Sequence, residues 1–202
     1  MRRYLAILGA LLMLLTSSAV FADTTDSTTY GSGNYGNCDY GSCTITLSSS
    51  GAMSANVTPS SGGACTVQSD AVTVTTDSTT GYTLTATTST TATGMTSGGN
   101  TIPSTTATQA SPAVLTSEEW GFRVDGVGGF GSGPTTAQTN GSIPSLTFAG
   151  MPASNGTPDQ LAATSSPASS GTTTNVWYGV CADTGIASGT YSVSVLYTAV
   201  TN

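Results

Sequence analysis

Apolar and polar residues alternate along much of the chain, most clearly between residues 191 and 199. Tyr191, Val193, Val195, Tyr197 and Ala199 share one face of that stretch, the period of two that a strand with one buried face requires. Just before it, Val176-Trp177-Tyr178-Gly179-Val180-Cys181 carries large groups on both faces, which predicts a central strand covered on both sides. The turn-forming stretch from Asp183 to Gly189 makes this pair a long hairpin or the corner of a sandwich. Earlier strands are expected over Cys43–Leu47, Ala52–Val57, Ala71–Thr75 and Tyr82–Ala86. Val72 and Val74 share a face, as do Tyr82 and Leu84, and the turn Thr76–Gly81 predicts that these last two strands pair as a hairpin.

Further along, Trp120, Phe122 and Val124 alternate with Glu119, Gly121, Arg123 and Asp125. A strand with an aromatic buried face and a polar outer face follows, with Arg123 in an exposed ion pair worth under about 1 kcal/mol. A short strand is expected at Ser145–Phe148. Single helical turns are expected at Ser111-Pro112 and, from the capping pattern of Thr157, Pro158 and Gln160, at Thr157–Leu161. The predicted core is Val72, Val74, Tyr82, Leu84, Trp120, Phe122, Val124, Trp177, Tyr191, Val193, Val195 and Tyr197. The fold class is all-β: an antiparallel β-sandwich, Ig-like or jelly-roll-like, with long Thr/Ser/Gly-rich loops at Thr87–Ala110 and Gly126–Gly141.

Met1-Arg2-Arg3 followed by apolar Leu5–Leu15 and by Val20-Phe21-Ala22 reads as a secretory signal peptide, residues 1–22, with cleavage expected after Ala22. The rival reading is an uncleaved membrane anchor, since apolar residues continue to Phe21, although Thr16-Ser17-Ser18 interrupts them. Residues 23–42 form a low-complexity leader in which Tyr-Gly recurs at Tyr30, Tyr35 and Tyr40, and the sandwich domain is residues 43–202. No later stretch is long and apolar enough to span a bilayer. The expected location is therefore extracellular, secreted or at the cell surface.

Only 6% of the residues are charged, against about a quarter in ordinary domains, so the polar surface is Thr, Ser, Gly and Asn. Once Arg2 and Arg3 leave with the signal, ten acidic residues face Arg123 alone. That balance makes nucleic acid and anionic lipid surfaces poor partners. Four cysteines in an exported chain indicate disulfides, for which three pairings exist. Cys38 and Cys43 are close enough for a small loop, which leaves Cys65 with Cys181. The alternative use, a metal site, has only a C-x4-C spacing and no His to support it.

The absence of His removes His-based triads, Cys–His dyads and His-ligated metals. The absence of Lys removes Schiff-base and Ser–Lys catalysis. Glu118 and Glu119 are neighbours that a strand would point to opposite faces, whereas glycosidase chemistry needs two facing carboxylates. The expectation is a non-enzyme with no catalytic residues and no cofactor. Calcium needs only oxygen ligands, and Asp77, Asp125 and Asp183 lie in or beside turns, but no ligand set is assigned.

The runs Val72–Thr76, Gly81-Tyr82-Thr83-Leu84, Trp120-Gly121-Phe122-Arg123-Val124-Asp125, Tyr178-Gly179-Val180 and Gly189-Thr190-Tyr191-Ser192 together form a pattern. Over roughly Ala71–Val200 it resembles uncharacterised secreted surface β-sandwich proteins of small-genome candidate-phylum bacteria. The resemblance implies a surface location and carries no known ligand. In that pattern a charged or aliphatic residue is expected where Cys181 stands, so the bridge would belong to this protein or a subset. The Gly-Thr-Tyr-Ser strand is also similar to the last strand of spore-coat-U-like archaic pilins.

The expected function is an adhesion or envelope structural module that contacts an unknown surface ligand, glycan or protein, through the two long loops. The alternative is a self-assembling, pilin-like or surface-polymer subunit whose partner is itself. An extracellular hydrolase would require carboxylates that converge in a cleft.

Overall fold

The computed structural model describes the backbone of residues 11–21 and the whole of residues 43–202. It is a β-sandwich with no helix among the described residues. The strands are β1 (Leu11–Phe21), β2 (Ile45–Ser48), β3 (Met53–Val57), β4 (Ala64–Thr76), β5 (Tyr82–Thr88), β6 (Met95–Ser97) and β7 (Asn100–Ile102). There follow β8 (Ala113–Val114), β9 (Trp120–Arg123), β10 (Gln138–Gly141), β11 (Thr147–Phe148), β12 (Asp159–Ala163), β13 (Ala168–Ala182) and β14 (Tyr191–Thr201).

One sheet runs β12-β5-β14-β1-β3, with β6 also paired to β14 and β7 to β6. The other runs β10-β4-β13-β9, with β2 added along β4. The small ribbon of β8 and β11 lies outside the second sheet. Among the described strands every ladder is antiparallel except one, β1 with β14.

The alternating faces meet between the sheets. Val72, Val74, Tyr82, Leu84, Trp120, Phe122, Val124, Tyr191, Val193, Val195 and Tyr197 are all buried there. Trp177 points the other way and is only partly buried, packing on a smaller outer cluster of Cys65, Val67, Leu115, Phe148 and Cys181. That cluster makes β13 a strand covered on both faces, as its unalternating run of large side chains requires. Cys65 and Cys181 are directly opposite in register on β4 and β13 and are disulfide-bonded, with Cα atoms 4.1 Å apart. Cys43 is also disulfide-bonded, but Cys38, with which the sequence pairs it, lies outside the described residues, as does the leader 23–42.

Four expectations are corrected. The strands on either side of Thr76–Gly81 do not pair: β4 belongs to one sheet and β5 to the other. The turn is a sandwich corner, because each strand finds a longer partner elsewhere, β4 with β13 and β5 with β14. Alternation is identical in a hairpin and a corner, so the pattern alone does not separate them. Arg123 is not on an exposed face. It is 1% exposed, because the β8–β11 ribbon covers the outer side of β9 and Thr147 O accepts a hydrogen bond from its guanidinium.

Neither helical turn forms. Thr157–Leu161 runs instead into β12, where Asp159 pairs with Ala86 and Gln160 with Thr85. The open edge of β5 satisfies this backbone better than one isolated turn would. Ser111 sits in a β-bridge with Thr108. Finally, Glu118 and Glu119 lie in the turn before β9 rather than in a strand.

Candidate functional site

At one end of the sandwich the excursion after β5 folds down and is pinned by main-chain bonds. Its middle forms the β6–β7 hairpin, Met95 opposite Ile102, and both side chains are buried in the core. Beyond β7 the chain runs beside β9: Trp120 N donates to Pro103 O at 3.0 Å and Thr105 N to Trp120 O at 2.8 Å. The indole Nε1 of Trp120 donates to Thr93 O at 2.9 Å. Opposite this stretch, residues 149–157 are tied in the same way. Gly150 N donates to Ala107 O, Thr88 N to Pro152 O and Ser154 N to Thr90 O. Position 150 must be glycine, since a Cβ there would lie 2.0 Å from Thr105 O.

Between these two stretches is a hollow of about 440 Å³. Its lining combines the hydroxyl-bearing residues Thr93, Ser104, Thr105, Thr108 and Thr157 with apolar surface, Met151 and Pro152 included, and the apolar share is the larger. Asp159 is its one carboxylate, half-buried, and burial raises its pKa above the ordinary carboxylate value. The Oγ of Ser104 is buried without a hydrogen-bond partner. A buried hydroxyl in that condition costs roughly 1–3 kcal/mol. Such a wall offers donors and acceptors to polyhydroxylated or peptide ligands. It offers no aromatic ring on which a sugar face could stack.

Of the two long loops expected to make contacts, Thr87–Ala110 builds the hollow and Gly126–Gly141 does not. The latter meets the former at its end, where Gly129 N donates to Gln109 O and Gly128 and Gly129 pack closely on Gln109 and Ala110. Its far end runs to the edge of β4, where Gln138 Nε2 donates to Cys65 O and Asn140 N to Thr66 Oγ1. The second wall, residues 149–157, carries no hydrophobic period and no motif, so the sequence contains no signal for it.

Most of the described acidic residues are held separately. Asp77 accepts from Thr44 N. Asp125 accepts from Arg123 and from both the amide and hydroxyl of Thr135. Burial pushes its pKa up, but those bonds outweigh burial and leave it below the usual carboxylate value. Two carboxyls do meet, Glu118 and Asp183. Asp183 is held low first by the Gly185 amide and then by Glu118, while Glu118 is raised by sharing a hydrogen bond with Asp183. Both are partly exposed and neither lines the hollow.

Asp70 is the buried carboxylate that motif reading passed over. It lies two residues before Val72, on the core face of β4, and its Oδ1 accepts from the amide and hydroxyl of Ser50. No protein-family model matches the chain, and no curated protein matches it in sequence.

Proposed function

We propose that this chain is a non-catalytic, secreted or cell-surface module that serves adhesion or envelope structure, and that the hydroxyl-lined hollow is where it meets its ligand. The observation that carries this reading is the unpaired, buried Ser104 Oγ in the wall of a hollow whose other polar groups are Thr hydroxyls and Asp159. The Cys65–Cys181 disulfide is compatible with an oxidising, extracellular setting. So is the resemblance to secreted surface proteins described above. A rigid wall costs little ordering entropy on binding, which suits a contact made by few groups.

Glycan arrays and whole-cell binding with the secreted protein test it. Binding should be retained by the native chain and weakened at least tenfold by Ser104→Ala and by Asp159→Asn. Equal binding by all three proteins would place the contact elsewhere. No binding to any cell or glycan would remove the adhesion reading.

A second reading, self-assembly by strand addition, is supported by the uncharged edge strand β3. It ends its sheet and carries no charge, and the chain has no Lys with which to guard a sheet edge. Size exclusion and electron microscopy at high concentration separate the readings, since monodisperse monomers exclude a polymer.

A further inference from the structure

Residues 11–21 are read from sequence as the apolar part of a signal peptide, yet they form an inner strand of the fold. β1 is parallel to β14 over nine positions, from Met13 opposite Tyr191 to Phe21 opposite Ala199. On its other side it is antiparallel to β3, from Leu11 opposite Val57 to Leu15 opposite Met53. Cleavage after Ala22 would remove this strand whole, one residue beyond its end. What remains is a lane one strand wide, about 10 Å from β3 to β14. Both of its rims would then present unpaired N–H and C=O groups. The residues beside it, Met53, Ala55, Val57, Tyr191, Val193 and Val195, are buried while the lane is filled and would be wetted if it stayed empty. An empty lane would forfeit both the ladder and this burial.

We infer that the lane is a strand-acceptor site, and that in the processed protein residues 23–42 of the same chain occupy it in place of β1. Chain direction carries the argument. β1 runs alongside β14 toward Ala199, and the chain then continues to β2, which packs against both β1 and β14. A strand drawn from residues 23–42 therefore enters with the polarity of β1 by sliding the chain along the lane, with no reversal. Twenty residues extend to roughly 66 Å, against about 30 Å for a nine-residue lane, so enough chain is left for the connection to Ile45. The stretch Thr24-Thr25-Asp26-Ser27-Thr28-Thr29-Tyr30 contains β-branched and aromatic residues and neither Pro nor Lys, a composition compatible with a ladder on both sides. A tethered segment also has an effective concentration in the millimolar range, which a second molecule does not match at ordinary concentration. This inference is independent of what the hollow binds.

The test is to secrete the full chain, confirm by mass that it begins at Asp23, and follow amide hydrogen exchange of the monomer peak from size exclusion. The inference expects a block of about seven to nine amides within residues 23–42 to exchange at least about a hundredfold more slowly than free chain, independently of protein concentration. Thr25→Pro and Thr28→Pro, each removing a ladder donor, should abolish that protection while the Cys65–Cys181 sheet stays protected. Three results overturn it: a secreted protein still carrying residues 11–21, a monomer whose leader exchanges as free chain, or protection found only in multimers and lost on dilution. The last would mean that a neighbouring copy's leader fills the lane. None of these outcomes bears on ligand binding at Ser104, so the two proposals fail separately.

Discussion

The hydroxyls of Tyr178 and Tyr197 share a hydrogen bond of 2.6 Å across the middle of the sandwich. Tyr178 belongs to β13 and Tyr197 to β14, so the bond joins the two sheets across the core, close to the buried Asp70. Burial is the main reason both phenols are held above their ordinary pKa, and the charge of Asp70 adds to it.

Tyr178→Phe should therefore cost about 1–3 kcal/mol, because it leaves the Tyr197 hydroxyl buried and short of a partner. The double variant Tyr178→Phe/Tyr197→Phe should cost less than the sum of the singles, by about 1 kcal/mol or more in a denaturant double-mutant cycle. The sign of the pH effect follows from the raised values. The folded state gives up these protons later than the unfolded chain, so the contribution is complete below about pH 10 and is lost as pH climbs past it. The double variant should show a shallower alkaline fall in melting temperature. Identical slopes would refute the assignment.

Arg123 and Asp125 form the only salt bridge among the described residues, at 2.8 Å, with the guanidinium also 5.8 Å from the Phe130 ring centroid. Asp125→Asn removes the charge that compensates a buried cation and should cost about 3–5 kcal/mol. Since the Asp125 pKa is lowered on folding, its contribution is complete above the unfolded carboxyl value near 4 and disappears as pH falls through the folded value. Urea midpoints taken from pH 7 to pH 2 should fall further for the native protein than for Asp125→Asn.

Breaking Cys65–Cys181, which closes a separation of 116 residues, should lower stability by about 2–5 kcal/mol. Cys65→Ala/Cys181→Ala and chemical reduction should shift the melting temperature alike. A reduced protein as stable as the oxidised one would show that the bridge adds nothing to sheet pairing.

Gly121 and Gly179 face each other across β9 and β13. An added Cβ at 121 would lie 2.7 Å from Ala149 O, and one at 179 would lie 2.8 Å from the edge of the Phe148 ring. Each Ala substitution should cost about 1–3 kcal/mol. Phe148→Leu should partly rescue Gly179→Ala, where a side chain is the obstacle. It should not rescue Gly121→Ala, where the obstacle is backbone. Equal rescue of both would contradict this packing.

What was legible in the sequence was the face of each residue. Tyr191, Val193, Val195 and Tyr197 could be placed on a buried side by parity, and the same parity puts Asp70 with Val72 on the inside. What covers a face was not legible. Arg123 alternates with core residues and so reads as outward, but the ribbon that buries it comes from residues 113–114 and 147–148, which have no periodicity. Sheet membership was equally hidden at Thr76–Gly81. At Thr157–Leu161, local capping chemistry argued for a helical turn, and a long-range edge, β5, decided otherwise. The hollow lies between two irregular segments: composition alone marked the loop Thr87–Ala110, nothing marked residues 149–156, and the capping pattern at Thr157 pointed to the wrong local structure.

The position of β14 also governs how the larger sheet can close. This strand borders β5, β6 and β1 at once, so without residues 191–201 the larger sheet has flanks and no centre. Whatever order the other strands assemble in, that layer becomes one cooperative unit only when β14 takes its place.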